Sequence, residues 1–434
     1  MNNKDIEEVK AYEKLAAAAV EHGLDVFGGE VRRTSSRFCL GVEHGDYNGT
    51  ELLGVGTDRY IWVAYRANGR AEHRMYSCNF PADGVVCVPC GRTGDAERAA
   101  DRARDKTGRW GHFVRGVDYV LRAAGIAVTA GIDAVVYGNI PGGGMSRSAS
   151  LTVNLICSVC AAQPSADAAA PAPMRVAELS QAVENDYIGA PCGCLDQVMI
   201  VFAQAGCATR FDPATKTVSH VRFGSDKNSS ESDDSFRLLV LDTGTTRHGL
   251  DVSTYSLRVA ECRKLCAVAG LRALADVKTP EQLAAVRARV ADSTVALPPA
   301  EQAALLARLQ YIYDAQHNFA RMVEAWAAGD IATVGRLFRA DGIGLRDQYC
   351  ISGPELEAMC DIARTVPGVH GERMLGGGDK GAAGLLCAPD AVAAVRAAVA
   401  TSYPRGHPLY ADKWAVHECR FVQGITVLPG LVSP

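Results

Sequence analysis

Three short segments hold residue types that could bind or transfer a phosphoryl group. The first is Pro141-Gly142-Gly143-Gly144-Met145-Ser146-Arg147-Ser148-Ala149, lying between a strand-like run and a helical one. Glycines let the backbone approach a polyanion, and a helix amino terminus adds unpaired N–H groups and a positive dipole end, so the segment is a candidate phosphate cradle. No Gly-Lys-Ser/Thr follows, which excludes a Walker A loop; a bare strand-to-helix glycine turn is the competing explanation.

The second segment packs Arg37, Glu43, His44 and Asp46 into one strand end, followed by Tyr47-Asn48-Gly49. Such polar density is costly if buried and unpaired, so it wants water or a polyhydroxylated ligand. A charged hairpin turn is the bland alternative, because Asp-Tyr-Asn-Gly is good turn sequence. The third runs from Glu184 to Gln197, with one acid at a helix end and Asp196 behind a tight Cys192-Gly193-Cys194 turn. One carboxylate could serve a divalent cation while the other orients an attacking hydroxyl. Solvated helix-end acids remain the alternative on spacing alone.

The elements that must position these groups are visible as pattern. Residues 4–22 have helical spacing, residues 36–75 form short β-rich runs split by Gly, Asp and Asn, residues 108–125 return to helical period, and IDAVVYG (132–138) reads as a strand. AAQPSADAAAPAPM (161–174) is expected to be a surface loop, and GSDKNSSESDDS (224–235) a linker between halves. Beyond it come a strand FRLLVLDT, amphipathic helices across 253–345, a helix at 353–366, a strand and glycine turn at 369–378, a helix at 389–401 and a closing strand near 414–422.

Composition narrows the function classes. The chain has 434 residues, 48% of them apolar, and a formal net charge of −4. It is too apolar to be disordered and has no basic run that would suit nucleic acid or an anionic membrane. No stretch approaches the roughly 18 to 20 apolar residues of a membrane span. Fifteen cysteines, several in apolar runs, are expected to be free thiols of a cytoplasmic protein. The pairs Cys87/Cys90 and Cys157/Cys160 are too far apart in sequence for a zinc ribbon, and read as buried small hydrophobes.

Taken together, the segments resemble the signature motifs of the GHMP small-molecule kinases and, within them, the galactokinase family. Arg37, Leu40, Gly49 and Glu43-His44-x-Asp46-Tyr47-Asn48 match the family's G-R-x-N-L-I-G-E-H-x-D-Y-N-G. Gly142 to Ser150 match G-G-G-L-S-S-S-A-S except that Met145 replaces Leu and Arg147 a Ser, and Glu184 to Gln197 match E-x-x-x-x-G-x-x-C-G-x-M-D-Q with Leu195 for Met. Arg247-His248, Tyr255, Glu261-Cys262, LRDQYCISGPELE (345–357) and Gly371 to Gly378 follow in family order.

The resemblance implies an α+β, two-lobed GHMP kinase fold. The amino lobe, residues 1–230, would be ribosomal-protein-S5-domain-2-like; the carboxyl lobe, residues 231–434, would be ferredoxin-like with added helices. It implies transfer of the γ-phosphoryl group of ATP to the C1 hydroxyl of a galactose-like sugar, with Asp196 and Arg37 catalytic. Glu43 would take the 6-hydroxyl, Asp46 a ring diol, and His44, Gly193 and Tyr255 further sugar contacts. Gly142, Gly143, Gly144, Ser146, Arg147, Ser148, Gly377 and Gly378 would bind ATP, and Ser146, Ser148 and Glu184 would hold Mg²⁺. The implied partners are sugar and ATP, with no nucleic acid or membrane; a monomer is expected, with a dimer the alternative.

The chain departs from the family at Asp379-Lys380, where G-G-G is normally followed by F-G-G-C, and at Arg147, Pro141, Ser36, Cys39 and Val42. An acid beside phosphates is unfavourable unless Lys380 or Mg²⁺ neutralises it. Trp110-Gly111 to Gly116, the Glu184 run and Glu324 to Gly329 resemble galacturonokinase, but Glu43 would repel a C6 carboxylate, so galactose is expected before galacturonate or arabinose. A sugar and ATP sensor without catalysis is the reading from another class. His317, His407 and His417 suggest no site, and Trp326, Tyr311 and Tyr313 read as helix packing.

Overall fold

The computed structural model describes residues 3–103, 110–164, 171–225, 235–246, 254–292 and 297–433. A first helix, α1 (Asn3–His22), precedes the strands β1 (Glu30–Gly41), β2 (Leu52–Ala67), β3 (Glu72–Ser77) and β4 (Val85–Pro89). Then come α2 (Asp95–Ala103), α3 (Gly111–Ala123), β5 (Ile132–Gly138), α4 (Arg147–Ala161) and α5 (Pro173–Ala182). A π-helical turn, Val183–Ile188, leads to α6 (Leu195–Phe202) and the hairpin β6 (Cys207–Asp212) and β7 (Thr217–Arg222).

The second half opens with β8 (Arg237–Asp242) and four helices: α7 (Thr254–Ala269), α8 (Pro280–Ala291), α9 (Pro299–Ala327) and α10 (Ile331–Asp347). It continues with α11 (Pro354–Arg364), β9 (Val369–Met374), β10 (Ala382–Cys387), α12 (Val392–Gly406), β11 (Ala415–Cys419) and β12 (Ile425–Leu428). Two sheets result. One has eight strands with the path β12-β1-β2-β5-β3-β4 and the β6–β7 hairpin on β2; the other has four, β11-β8-β10-β9. The α+β class is as expected. Every strand pair is antiparallel except β3 with β5.

Two expectations change. The runs ELLGVG and YIWVAYR form one strand, β2, because a register shift absorbs the polar Asp58-Arg59 between them: Ser36 faces Thr57 while Ser35 faces Tyr60. A bulge accommodates the extra residues without ending the ladder. And β12, which has no counterpart in the expected order, returns to pair with β1, Val31 opposite Leu428. The 230/231 boundary lies in 226–234, which, like 165–170 and the motif residues Arg247-His248, falls outside the described residues.

β1 is buried on both faces although half of it is polar. Helix α4 answers with a polar stripe: Thr34 Oγ1 donates to the Ser150 carbonyl at 3.0 Å, and Asn154 Nδ2 donates to the Arg32 carbonyl at 3.1 Å. Buried polar groups are tolerated when paired in this way. One apolar cluster runs through residues of both sheets, including Phe38, Val55, Leu238, Val240 and Leu386, so the halves share packing around the cleft between them.

Candidate active site

The cleft gathers residues from both halves. It is lined by Arg37, Glu43, His44, Asp46, Gly142 to Ser148, Glu184, Gly193, Asp196, Tyr255, Gly376, Gly377, Lys380 and Gly381. Of the residues expected to act in catalysis or to bind sugar, ATP or metal, only Gly378 is not among the lining: a Cβ there would sit 2.1 Å from the Ile351 carbonyl oxygen, so it serves loop packing.

At the centre, Arg37 points from β1 to the first turn of α6. Its Nε and Nη2 both lie 2.7 Å from Asp196 Oδ1, and Nη1 donates to the Gly144 carbonyl. Burial works against the guanidinium charge, but Asp196 and Glu43 outweigh it and hold Arg37 protonated. One cation thus joins the candidate base to the glycine loop.

On the polyol side, Asp46 Oδ2 accepts from the Leu195 N–H at 3.0 Å, and Oδ1 from the Tyr47 N–H at 3.0 Å. Burial raises the Asp46 carboxyl to about 6, against the pull of these N–H groups. Gly193 must be glycine: a Cβ there would lie 2.0 Å from Asp46 Oδ2. Its N–H donates to the Tyr255 hydroxyl at 3.4 Å, bringing α7 against the Cys-Gly-Cys turn. His44 Nδ1 shares a 2.9 Å hydrogen bond with the Tyr47 hydroxyl, which lies 2.7 Å from the Tyr349 hydroxyl.

Glu43 Oε1 accepts from the Gly376 N–H at 2.8 Å and lies 3.8 Å from Arg373 Nη2. Arg373 is a residue that sequence reasoning missed. Fully buried, it donates to Asp341 Oδ2 at 2.6 Å and to the Cys39 carbonyl at 2.8 Å. Charges therefore alternate from Asp341 through Arg373, Glu43 and Arg37 to Asp196. An arginine at an alternate position of β9, directly before the glycine turn, was the available signal.

On the phosphate side, Ser146 caps α4 in the left-handed region, φ 56°. Its buried Oγ has no hydrogen-bond partner among the described residues. Glu184, from the π-helical turn, is buried; burial first, then Asp196, raises its carboxyl to about 7, while Ser148 and Gln197 pull it down. An orphaned hydroxyl and a desolvated carboxylate lining one cleft are a donor set that suits Mg²⁺, which needs few protein ligands. No group of three or more His, Cys, Asp or Glu residues that could hold a metal occurs among the described residues.

The two glycine turns stack. A Cβ on Gly143 would lie 2.6 Å from Gly381 Cα, and one on Gly376 would lie 3.0 Å from Gly144 Cα. Asp379, φ 58°, turns away from this contact and accepts from the Thr254 N–H at the start of α7, 3.1 Å. Past Ser146 the cleft becomes apolar, with Ile61, Phe80, Trp110, Phe113, Val136 and Leu151. Arg147 lines it here, its Cζ 5.8 Å from the Phe80 ring centroid. These apolar lining residues were not singled out from the sequence as a site, though Trp110 and Phe113 lie in one of the quoted motifs.

Known proteins resemble this chain over most of its length. Residues 111–204 match the GHMP kinases N terminal domain. The galactokinase of Lacticaseibacillus casei is 29% identical over 82% of this chain and 86% of that protein. The crystal structure of Lactococcus lactis galactokinase complexed with galactose superposes with a TM-score of 0.78 over 95% of this chain and 98% of that one, at 24% identity, which speaks to the fold. The galactokinase of Streptomyces coelicolor is 30% identical over 90% of this chain and 94% of that protein. With the Arg37–Asp196 pair and both glycine turns converging on one cleft, the chain belongs to the galactokinase family of GHMP kinases.

Proposed function

We propose that this chain is an ATP-dependent galactose 1-kinase, transferring the γ-phosphoryl group of ATP to the anomeric hydroxyl of D-galactose. The observation that carries the reading is the Arg37–Asp196 pair, set where the polyol-facing side chains meet the glycine turns. Relatives bearing the name galactokinase support galactose as the sugar.

Phosphoryl transfer needs positioning and charge neutralisation more than covalent help. Asp196 orients the C1 hydroxyl and accepts its proton. The sugar oxygen forms a bond to the γ-phosphorus as the bond from that phosphorus to the β,γ-bridging oxygen breaks, and ADP leaves with the electron pair. Arg37 balances the Asp196 charge and faces the moving phosphoryl oxygens. Glu43, Asp46, His44, Gly193 and Tyr255 hold the sugar; Gly142 to Ser148 hold the phosphates; the apolar end takes the base. Ser146, Ser148 and Glu184 would hold Mg²⁺, which supplies charge neutralisation at the β- and γ-phosphate oxygens.

Burial already raises the Glu43 carboxyl, and a second anion at C6 would add repulsion, so a neutral hydroxymethyl is favoured over a carboxylate. The proposal extends to a cytoplasmic monomer with sugar and ATP as its small-molecule partners. All fifteen cysteines are free, and no helix among the described residues is long and apolar enough to cross a membrane. ADP release measured with galactose, galacturonate and arabinose tests the reading. Galactose should be the fastest substrate; galacturonate turning over well above galactose overturns the choice of sugar, and no ADP release with any of them overturns the kinase.

A further inference from the structure

The second glycine turn carries an acid and a base, Asp379-Lys380, in place of the F-G that the family motif places there, and the structure sends them different ways. Asp379 holds the amino terminus of α7 through the Thr254 N–H, 3.1 Å from Oδ2, and does not line the cleft. Its backbone is pinned as well: the Asp379 N–H donates to the Ile351 carbonyl at 2.7 Å. Lys380, the next residue, does line the cleft, together with Gly377 and Gly381 on either side. Gly381 packs on Gly143, and Gly376 packs on Gly144 and Arg37, so Lys380 belongs to the stretch of backbone pressed against the first glycine turn.

Charge in the cleft makes that placement consequential. Three cations line it, Arg37, Arg147 and Lys380, against four carboxylates, Glu43, Asp46, Glu184 and Asp196. Arg37 is engaged by Asp196, and Arg147 lies toward Phe80 at the apolar end. A triphosphate entering between the glycine turns would meet a surplus of negative charge, and a lysine ammonium there acts as a point charge for phosphate oxygens.

We propose that Lys380 is a phosphate-binding residue of the nucleotide site, contacting the β- and γ-phosphate oxygens, with the Asp379–Thr254 contact as the anchor that keeps the acid out and the lysine in. The inference rests on the kinase reading, and it gives this chain a phosphate cation in a turn where the family motif has none.

Calorimetric binding of ADP and AMP to the full chain in EDTA separates this role from a structural one. K380M should weaken ADP binding about ten- to hundredfold, the loss of a charge-assisted contact, and leave AMP within about twofold. K380R should restore most of the ADP affinity by restoring the charge. Unchanged ADP affinity in K380M overturns the proposal, as does an equal fall for ADP and AMP, which would mark a packing defect. Wild-type protein that binds neither nucleotide, in EDTA and again with Mg²⁺ restored, overturns the kinase reading itself, a different result from either.

Discussion

Arg37 and Asp196 stand 159 residues apart in the chain, yet two guanidinium nitrogens of one converge on a single carboxylate oxygen of the other. The arrangement leaves the second oxygen of Asp196 out of the pair and uses the third guanidinium nitrogen on Gly144, so the proposed base and the first glycine turn are set by one side chain. Arg37→Ala should lower turnover by roughly 10³- to 10⁵-fold, the range for an arginine acting on phosphoryl charge. Asp196→Asn should also abolish most turnover while sugar binding, followed by calorimetry, persists. Arg37→Lys should rescue little, since a point charge cannot reproduce a three-nitrogen fork.

Gly193→Ala would place a methyl group on the Asp46 carboxylate. Displacing that carboxylate by an ångström or so should cost on the order of 10²-fold in kcat/KM for galactose. The KM for ATP should stay near the wild-type value, because no nucleotide-facing residue moves; steady-state kinetics with each substrate varied in turn would show the split.

The role proposed for Asp46 makes sugar affinity depend on pH. Burial lifts its carboxyl from the usual 3.8 to about 6, so the folded protein holds a proton that the unfolded chain releases between those values. Stability contributed by this group therefore falls as pH rises through that window, whereas sugar binding, which draws on the ionised acceptor, strengthens. Galactose affinity should drop by up to about tenfold per unit below pH 6 and level off above 7. A flat profile from pH 5 to 8 would remove Asp46 as an ionised acceptor.

Arg373 holds two buried carboxylates, Asp341 and Glu43, without touching the cleft. Arg373→Met takes the paired cation from Asp341 and leaves Glu43 with Arg37 alone, and should cost about 3–5 kcal/mol in urea unfolding. Pairing it with Asp341→Asn should recover part of that loss.

Ser146→Ala tests the magnesium reading from two sides. Removing a buried hydroxyl that has no partner should leave the ligand-free protein as stable as before, or more so by about 1 kcal/mol. The same change should raise the Mg²⁺ concentration needed for half-maximal rate. A fall in thermal stability with no change in Mg²⁺ dependence would make Ser146 structural.

Local motifs were legible in the sequence because their chemistry is local. Glu43-His44-x-Asp46 share one strand end, and Gly142 to Ser148 one helix start. Long-range partners were not. Nothing near Glu43 announces that its carboxylate will be capped by the Gly376 N–H, 333 residues away. Gly378 sits in the same glycine run as Gly377, and only the packing of Ile351 separates their roles. The strand β12 was missed for the same reason: a four-residue run beside a proline carries little periodicity, and its pairing comes wholly from β1.

That pairing bears on how the molecule is made. The strand carrying Arg37 is flanked on one side by β2, synthesised directly after it, and on the other by β12, which emerges nearly four hundred residues later. During synthesis the first half must therefore wait with an open sheet edge, and the catalytic strand gains its second neighbour only when residues 425–428 arrive. Shortening the chain before that point should leave a protein that holds every catalytic residue and still aggregates.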